Sequence, residues 1–118
     1  MVYLVVSLLV GVAEPAVPAE VVLWPTYVHL LVLGWLTQLI FGVANWMFPR
    51  QHADASAWSS RLGWTCYWCL NSGLILRALT EPGPTTAWRS DALVLSAGLQ
   101  LVAGWAFVIA IWPRVRGR

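Results

Sequence analysis

Apolar residues in this chain fall in long stretches broken by short clusters of Pro, Gly and charged residues, not in the brief alternations of a soluble fold. Crossing the hydrocarbon core takes about 20 mostly apolar residues in a helix. Residues 24–48, 58–79 and 91–112 meet that requirement. Pro25 suits the first turn of the first stretch and Pro49 opposes its continuation. The second ends before Glu81-Pro82-Gly83-Pro84; Ser90 is the predicted N-cap of the third and Pro113 its stop. Residues 1–13 are also apolar, but as a helix they reach only about 20 Å before Pro15 and Pro18. Three readings of this segment stand: the tail of a helix that starts upstream, a short half-inserted helix, or a signal peptide cut near Ala19. The last is weakened by the lack of a charged leading region. The expectation is an all-α, polytopic membrane helix bundle. It has three full transmembrane helices and one short or truncated N-terminal helix, in a single domain over 1–118 with antiparallel neighbours.

Composition strengthens this picture. The chain is 59% hydrophobic and 10% charged, against about 25% charged in soluble domains. A net charge of +2 is too small for a nucleic-acid surface. Cys66 and Cys69 lie inside an apolar run, unlike a disulfide framework. Nine tryptophans suit a membrane–water boundary, where the ring is buried and its N–H stays wet. Arg50, Arg61, Arg114, Arg116 and Arg118 fall on one side of the expected topology, and Arg77 and Arg89 on the other. Basic residues favour the cytoplasm, so the expectation is a bacterial inner-membrane protein with a cytoplasmic C-terminus.

Ionisable groups within membrane helices are costly and are functional candidates. His29 lies one turn inside its helix. At 100° per residue it shares a face with Val32, Leu33, Leu36, Ile40, Val43 and Met47. Gly34, Gln38, Gly42 and Asn45 lie opposite, the residue types that helix–helix contacts in lipid use. An imidazole above an apolar wall suits a haem, with His29 on the iron and Val32, Leu33 and Leu36 against the macrocycle. Arg77 and Arg89 lie at a similar depth and are candidates for the propionates. The alternatives are a His29 ring bonded to a carbonyl or water, and arginines that snorkel or pair with Glu81 or Asp91. Cys66 and Cys69 are read chiefly as small packing residues, with metal handling or redox sensing as the alternative. His52 is read as a solvated loop residue. Asn71, Ser72 and Gln100 are read as interhelical hydrogen-bonding residues. No paired carboxylates, phosphate loop or Ser–His–Asp set is present, which argues against independent catalysis.

The pattern His29-x4-Gly34-Trp35-x6-Gly42-x6-Pro49-Arg50, with Trp68-Cys69-Leu70-Asn71-Ser72-Gly73-Leu74, resembles residues of haem–copper oxidase catalytic subunits. The likeness is to the C-type oxidases, nitric-oxide reductases and their small stand-alone relatives, over about residues 24–80. That resemblance implies haem b on His29 and a small oligomeric cytochrome b-like protein for electron transfer or diatomic gas binding. It implies self-association as a homotrimer or homodimer in the lipid bilayer, and a redox partner or quinol. With one helical histidine the chain lacks the residues for an oxygen- or NO-reducing binuclear centre. The alternative is a cofactor-free structural or assembly subunit of a membrane complex, bound through the Gly34–Gln38–Gly42–Asn45 face.

Overall fold

The computed structural model describes residues 1–18, 21–47, 53–82 and 87–116, with side chains throughout except at 53–59 and at Arg114. The expected roles of Arg50, His52 and Arg118 lie outside the described residues. Helix α1 covers Val2–Ala13 and runs into a single 3-10 turn, Glu14–Ala16. Helix α2 spans Trp24–Met47, α3 Ala53–Thr80 and α4 Ala87–Arg116. All four pieces are helical, so the class is all-α.

The expectation of three full spans is corrected to two. Among the described residues, α2 over Trp24–Met47 and α4 over Ala87–Pro113 are long and apolar enough to cross a membrane. Helix α3 has the length, 28 residues, but not the apolarity. Thr65, Tyr67, Asn71, Ser72 and Arg77 interrupt its hydrophobic run, and Trp64 and Trp68 are amphipathic.

Two smaller departures concern α4. Ser90 does not cap the helix; it lies within the first turn and its hydroxyl donates to the Ala87 carbonyl at 2.9 Å. Pro113 does not stop the helix either, which continues to Arg116. A proline removes one N–H and crowds the preceding turn. In the last turn that loss falls among carbonyls already lacking helical partners, and the Arg116 guanidinium reaches back over the Trp112 ring at 5.7 Å.

Helix α2 is not uniform. Leu30–Leu36 winds as a π-helix between α-helical Trp24–His29 and Thr37–Met47. Both the N–H and the hydroxyl of Thr37 donate to the Val32 carbonyl, five residues back, the hydroxyl at 2.8 Å. That i→i+5 pattern defines the wider coil. Thr26, Leu30 and Gly34, four residues apart, are all buried on one side of the helix.

Small residues set the close contacts. A Cβ on Gly73 would come within 2.9 Å of the Ser96 carbonyl oxygen, so α3 and α4 cross almost backbone to backbone there. Along the same pair, Cys66, Leu70, Ala103 and Ala106 form the buried core, flanked by Phe41, Leu62, Cys69 and Phe107. A Cβ on Gly34 would meet both Leu74 and Tyr3 at 2.9 Å, and one on Gly11 would meet the Tyr27 ring at 3.1 Å. Helix α1 therefore lies antiparallel against the first half of α2, with Tyr3 wedged towards α3.

Candidate functional site

His29, Arg77 and Arg89 converge at one end of the bundle, around Glu81. Its carboxylate is 9% exposed and lies just past the end of α3. Arg77, one turn earlier, donates from Nε to Oε1 at 3.0 Å. From α2, the Thr26 hydroxyl donates to Oε2 at 3.1 Å. The His29 Nδ1 stands 3.0 Å from Oε1 and 3.3 Å from Oε2. One carboxylate thus joins α2 to the end of α3 through two side chains, Thr26 and His29, and is held by a third, Arg77 of α3 itself. Arg77 also reaches α4, donating from Nη1 to the Gln100 Oε1 at 3.3 Å. The Gln100 Nε2 is buried without a hydrogen-bond partner among the described residues, a local cost of about 1–3 kcal/mol.

Arg89 completes the cluster from α4. Its Nε donates to the Thr80 carbonyl at 3.0 Å and its Nη2 to the Glu81 carbonyl at 2.6 Å. The last carbonyls of a helix have no helical partner and carry the negative end of its dipole. A guanidinium there satisfies both and fixes the start of α4 against the end of α3.

A second polar network lies deeper. Asn71 Oδ1 accepts from the Tyr3 hydroxyl at 2.5 Å and from Gln38 Nε2 at 3.2 Å, while Asn71 Nδ2 donates to the Tyr67 carbonyl at 2.7 Å. This ties α1, α2 and α3 together at one level. Beyond it, where α1 no longer covers α2, a groove of about 840 Å3 opens between α2 and α3. Gln38, Phe41, Gly42, Trp64, Tyr67 and Asn71 line it, with Phe107 of α4. Phe41 and Phe107, both of which line it, stack on each other at 3.7 Å between ring centres.

The structure brings His29, Arg77 and Arg89 to one place, but around a carboxylate and two carbonyls. Val32 and Leu36 are exposed and Leu33 is half-buried. Helix α2 departs from uniform 100° winding across Leu30–Leu36, yet Ile40, Val43 and Met47, expected on the same side, are exposed as well. Among the described residues no group of three or more His, Cys, Asp or Glu side chains could hold a metal ion. Haem b, iron on His29, and a cytochrome b-like role in electron transfer or gas binding are corrected accordingly: the polar side chains make helix-to-helix ties and no ligand set. Cys66 and Cys69 are free thiols at the α3–α4 core.

No protein-family model, curated protein or solved structure matches this chain. The likeness to haem–copper oxidase subunits is withdrawn.

Two participants carry weight that sequence reading did not give them. Glu81 reads from sequence as a turn residue and a pairing partner for Arg77 or Arg89, and its contacts with Thr26 and His29 carry no sequence signal; the i,i+4 spacing of Arg77 and Glu81 is the available one. Tyr3 had no signal at all, because its partner Asn71 is 68 positions away.

Proposed function

We propose that this chain is a cofactor-free structural or assembly subunit of a membrane complex. The observation that carries this reading is how little its two apolar helices cover each other. Only 11% of the most apolar window of α2 and 17% of that of α4 are buried within the fold. The core helix of a soluble protein would be mostly covered. Here Val94, Leu95, Leu101 and Val102 of α4 face outward, and nothing lies within 4 Å of a Cβ placed on Gly98 beside them. Apolar stripes with a small-residue notch are what helices use to pack in lipid, where close approach and not hydrophobicity drives association.

Tryptophan placement supports a transmembrane setting. Trp24 and Trp46 on α2, and Trp88 and Trp112 on α4, are all exposed. At about 1.5 Å per residue the pairs are separated by roughly 33 Å and 36 Å, enough to lie on either side of a hydrocarbon core of about 30 Å. Aromatic side chains at both boundaries form the expected belts. In this reading the arginine-rich C-terminus faces the cytoplasm of a bacterial inner membrane, and a second or third copy of the chain is the simplest partner.

Native mass spectrometry of the protein released from its own membrane tests the proposal. The wild type should travel as a homo-oligomer or with a stable membrane partner. Gly98→Leu should release the 13.1 kDa monomer with its helicity unchanged. A wild type that is monomeric throughout would overturn it.

A further inference from the structure

We infer that the arginine-rich end of the bundle is a binding surface for anionic phospholipid headgroups, of the phosphatidylglycerol class. The inference rests on the membrane reading above and names the lipid that the chain holds. Antiparallel packing decides which charges share an end. A Cβ on Gly73 of α3 would lie 3.1 Å from the Leu99 Cβ of α4. Leu62, packed against Cys66, Leu70, Ala103 and Ala106, continues the same pairing towards the start of α3. Counting equally back along α3 and forward along α4, that register sets Arg61 level with Ile111, beside Trp112. Arg116 stands one turn beyond Trp112, and its guanidinium lies over that ring at 5.7 Å. Arg61, Trp112 and Arg116 are all exposed. Tryptophan settles at the edge of the hydrocarbon core, and one helical turn adds about 5.4 Å. These arginines therefore lie in the layer of lipid phosphates.

Charge decides which headgroup. The sequence adds Arg50, Arg114 and Arg118 beside the ends of α2 and α4, and one acid, Asp54, at the start of α3. Asp54 offsets one arginine whichever it meets, so the side chains of this end carry a formal +4. The opposite end sets Arg77 and Arg89 against Glu14, Glu20, Glu81 and Asp91, a formal −2. A zwitterionic headgroup carries its own ammonium beside the phosphate and gains little from such a surface. A phosphodiester without one pairs with a guanidinium fork, and each arginine near an anionic surface contributes about a five-fold preference. An acidic segment of another protein matches the charge less well in place. It would have to enter the phosphate layer to reach Arg61 and Arg116 beside Trp112.

The test places the full chain in phosphatidylcholine vesicles with a trace of spin-labelled phosphatidylglycerol or spin-labelled phosphatidylcholine of the same acyl chains. Electron spin resonance reads how much of each the protein immobilises. Phosphatidylglycerol should be favoured by about five-fold or more, and a roughly ten-fold rise in salt should remove most of that preference. Arg61→Gln/Arg116→Gln should remove part of it, and glutamine at all five arginine positions should remove the rest, with circular dichroism unchanged. Equal immobilisation of the two lipids by the wild type would overturn the inference and leave the membrane reading intact. A chain that immobilises neither lipid would sink the membrane reading as well. Full preference retained by the folded double variant would also overturn the inference. So would poly-glutamate binding to a wild type that favours neither lipid, which would make this end the seat of an acidic protein segment.

Discussion

Replacing Glu81 by alanine removes the acceptor that Thr26, His29 and Arg77 share, and so cuts the polar tie between α2 and α3. Hydrogen bonds to charged groups contribute about 1.5–3 kcal/mol each, and breaking a buried pair from one side costs about 3–5 kcal/mol. The lower end applies, because His29 and Arg77 keep 28% and 21% side-chain exposure and Arg77 retains Gln100. The expected loss is about 3 kcal/mol for Glu81→Ala and about 1–2 kcal/mol for Glu81→Gln, which keeps the shape but not the charge. Steric-trap or detergent-titration unfolding in bicelles, followed by far-UV circular dichroism, reads these values. The double variant Arg77→Met/Glu81→Gln should lose less than the sum of the two single losses, by about 1 kcal/mol or more, because each single change strands the other partner. A Glu81→Ala loss below about 0.5 kcal/mol, or strict additivity in that cycle, would refute the role of the carboxylate as a tie.

Other residues give independent checks by the same unfolding assay. Arg89→Gln should cost about 1 kcal/mol by leaving the Thr80 and Glu81 carbonyls unsatisfied. Tyr3→Phe removes one interhelical hydrogen bond to Asn71 and should cost about 0.6 kcal/mol, and at most about 1.7. Gly34→Ala places a methyl 2.9 Å from both Tyr3 and Leu74 and should cost about 1–3 kcal/mol by overpacking. Gly42→Ala, with open space around it, should instead be neutral or gain up to about 1 kcal/mol from helix propensity.

The helical class, the count of four helices and the shortness of the first could all be read from where apolar stretches meet proline and glycine. Local composition dictates these features, so they survive without tertiary information. The apolarity of α3 was overestimated because a window rich in Trp, Tyr and Cys looks greasy while Asn71, Ser72 and Arg77 offset it. The π-segment of α2 has no sequence signature, yet the two faces read from spacing stay apart in the fold: Val32, Leu36, Ile40, Val43 and Met47 are exposed on one side. Of the packing face expected from spacing, Gly34 and Gln38 do pack, against Tyr3, Leu74 and Asn71, while Gly42 opens on the groove. His29, Arg77 and Arg89 were singled out because charge in an apolar helix is conspicuous. What they hold was not legible, since Glu81 reaches His29 across 52 positions.

The central claim, that α4 presents a bare apolar face to another membrane helix, is tested most directly by disulfide cross-linking in native membranes. On a background lacking Cys66 and Cys69, a single cysteine is placed at Gly98. A second variant carries it instead at Ser96, which is fully buried against α3 within the chain. Oxidation should join Gly98→Cys to a second copy or to a partner protein and leave Ser96→Cys unlinked. Absence of any linked species for Gly98→Cys, or equal linking at both positions, would contradict the claim.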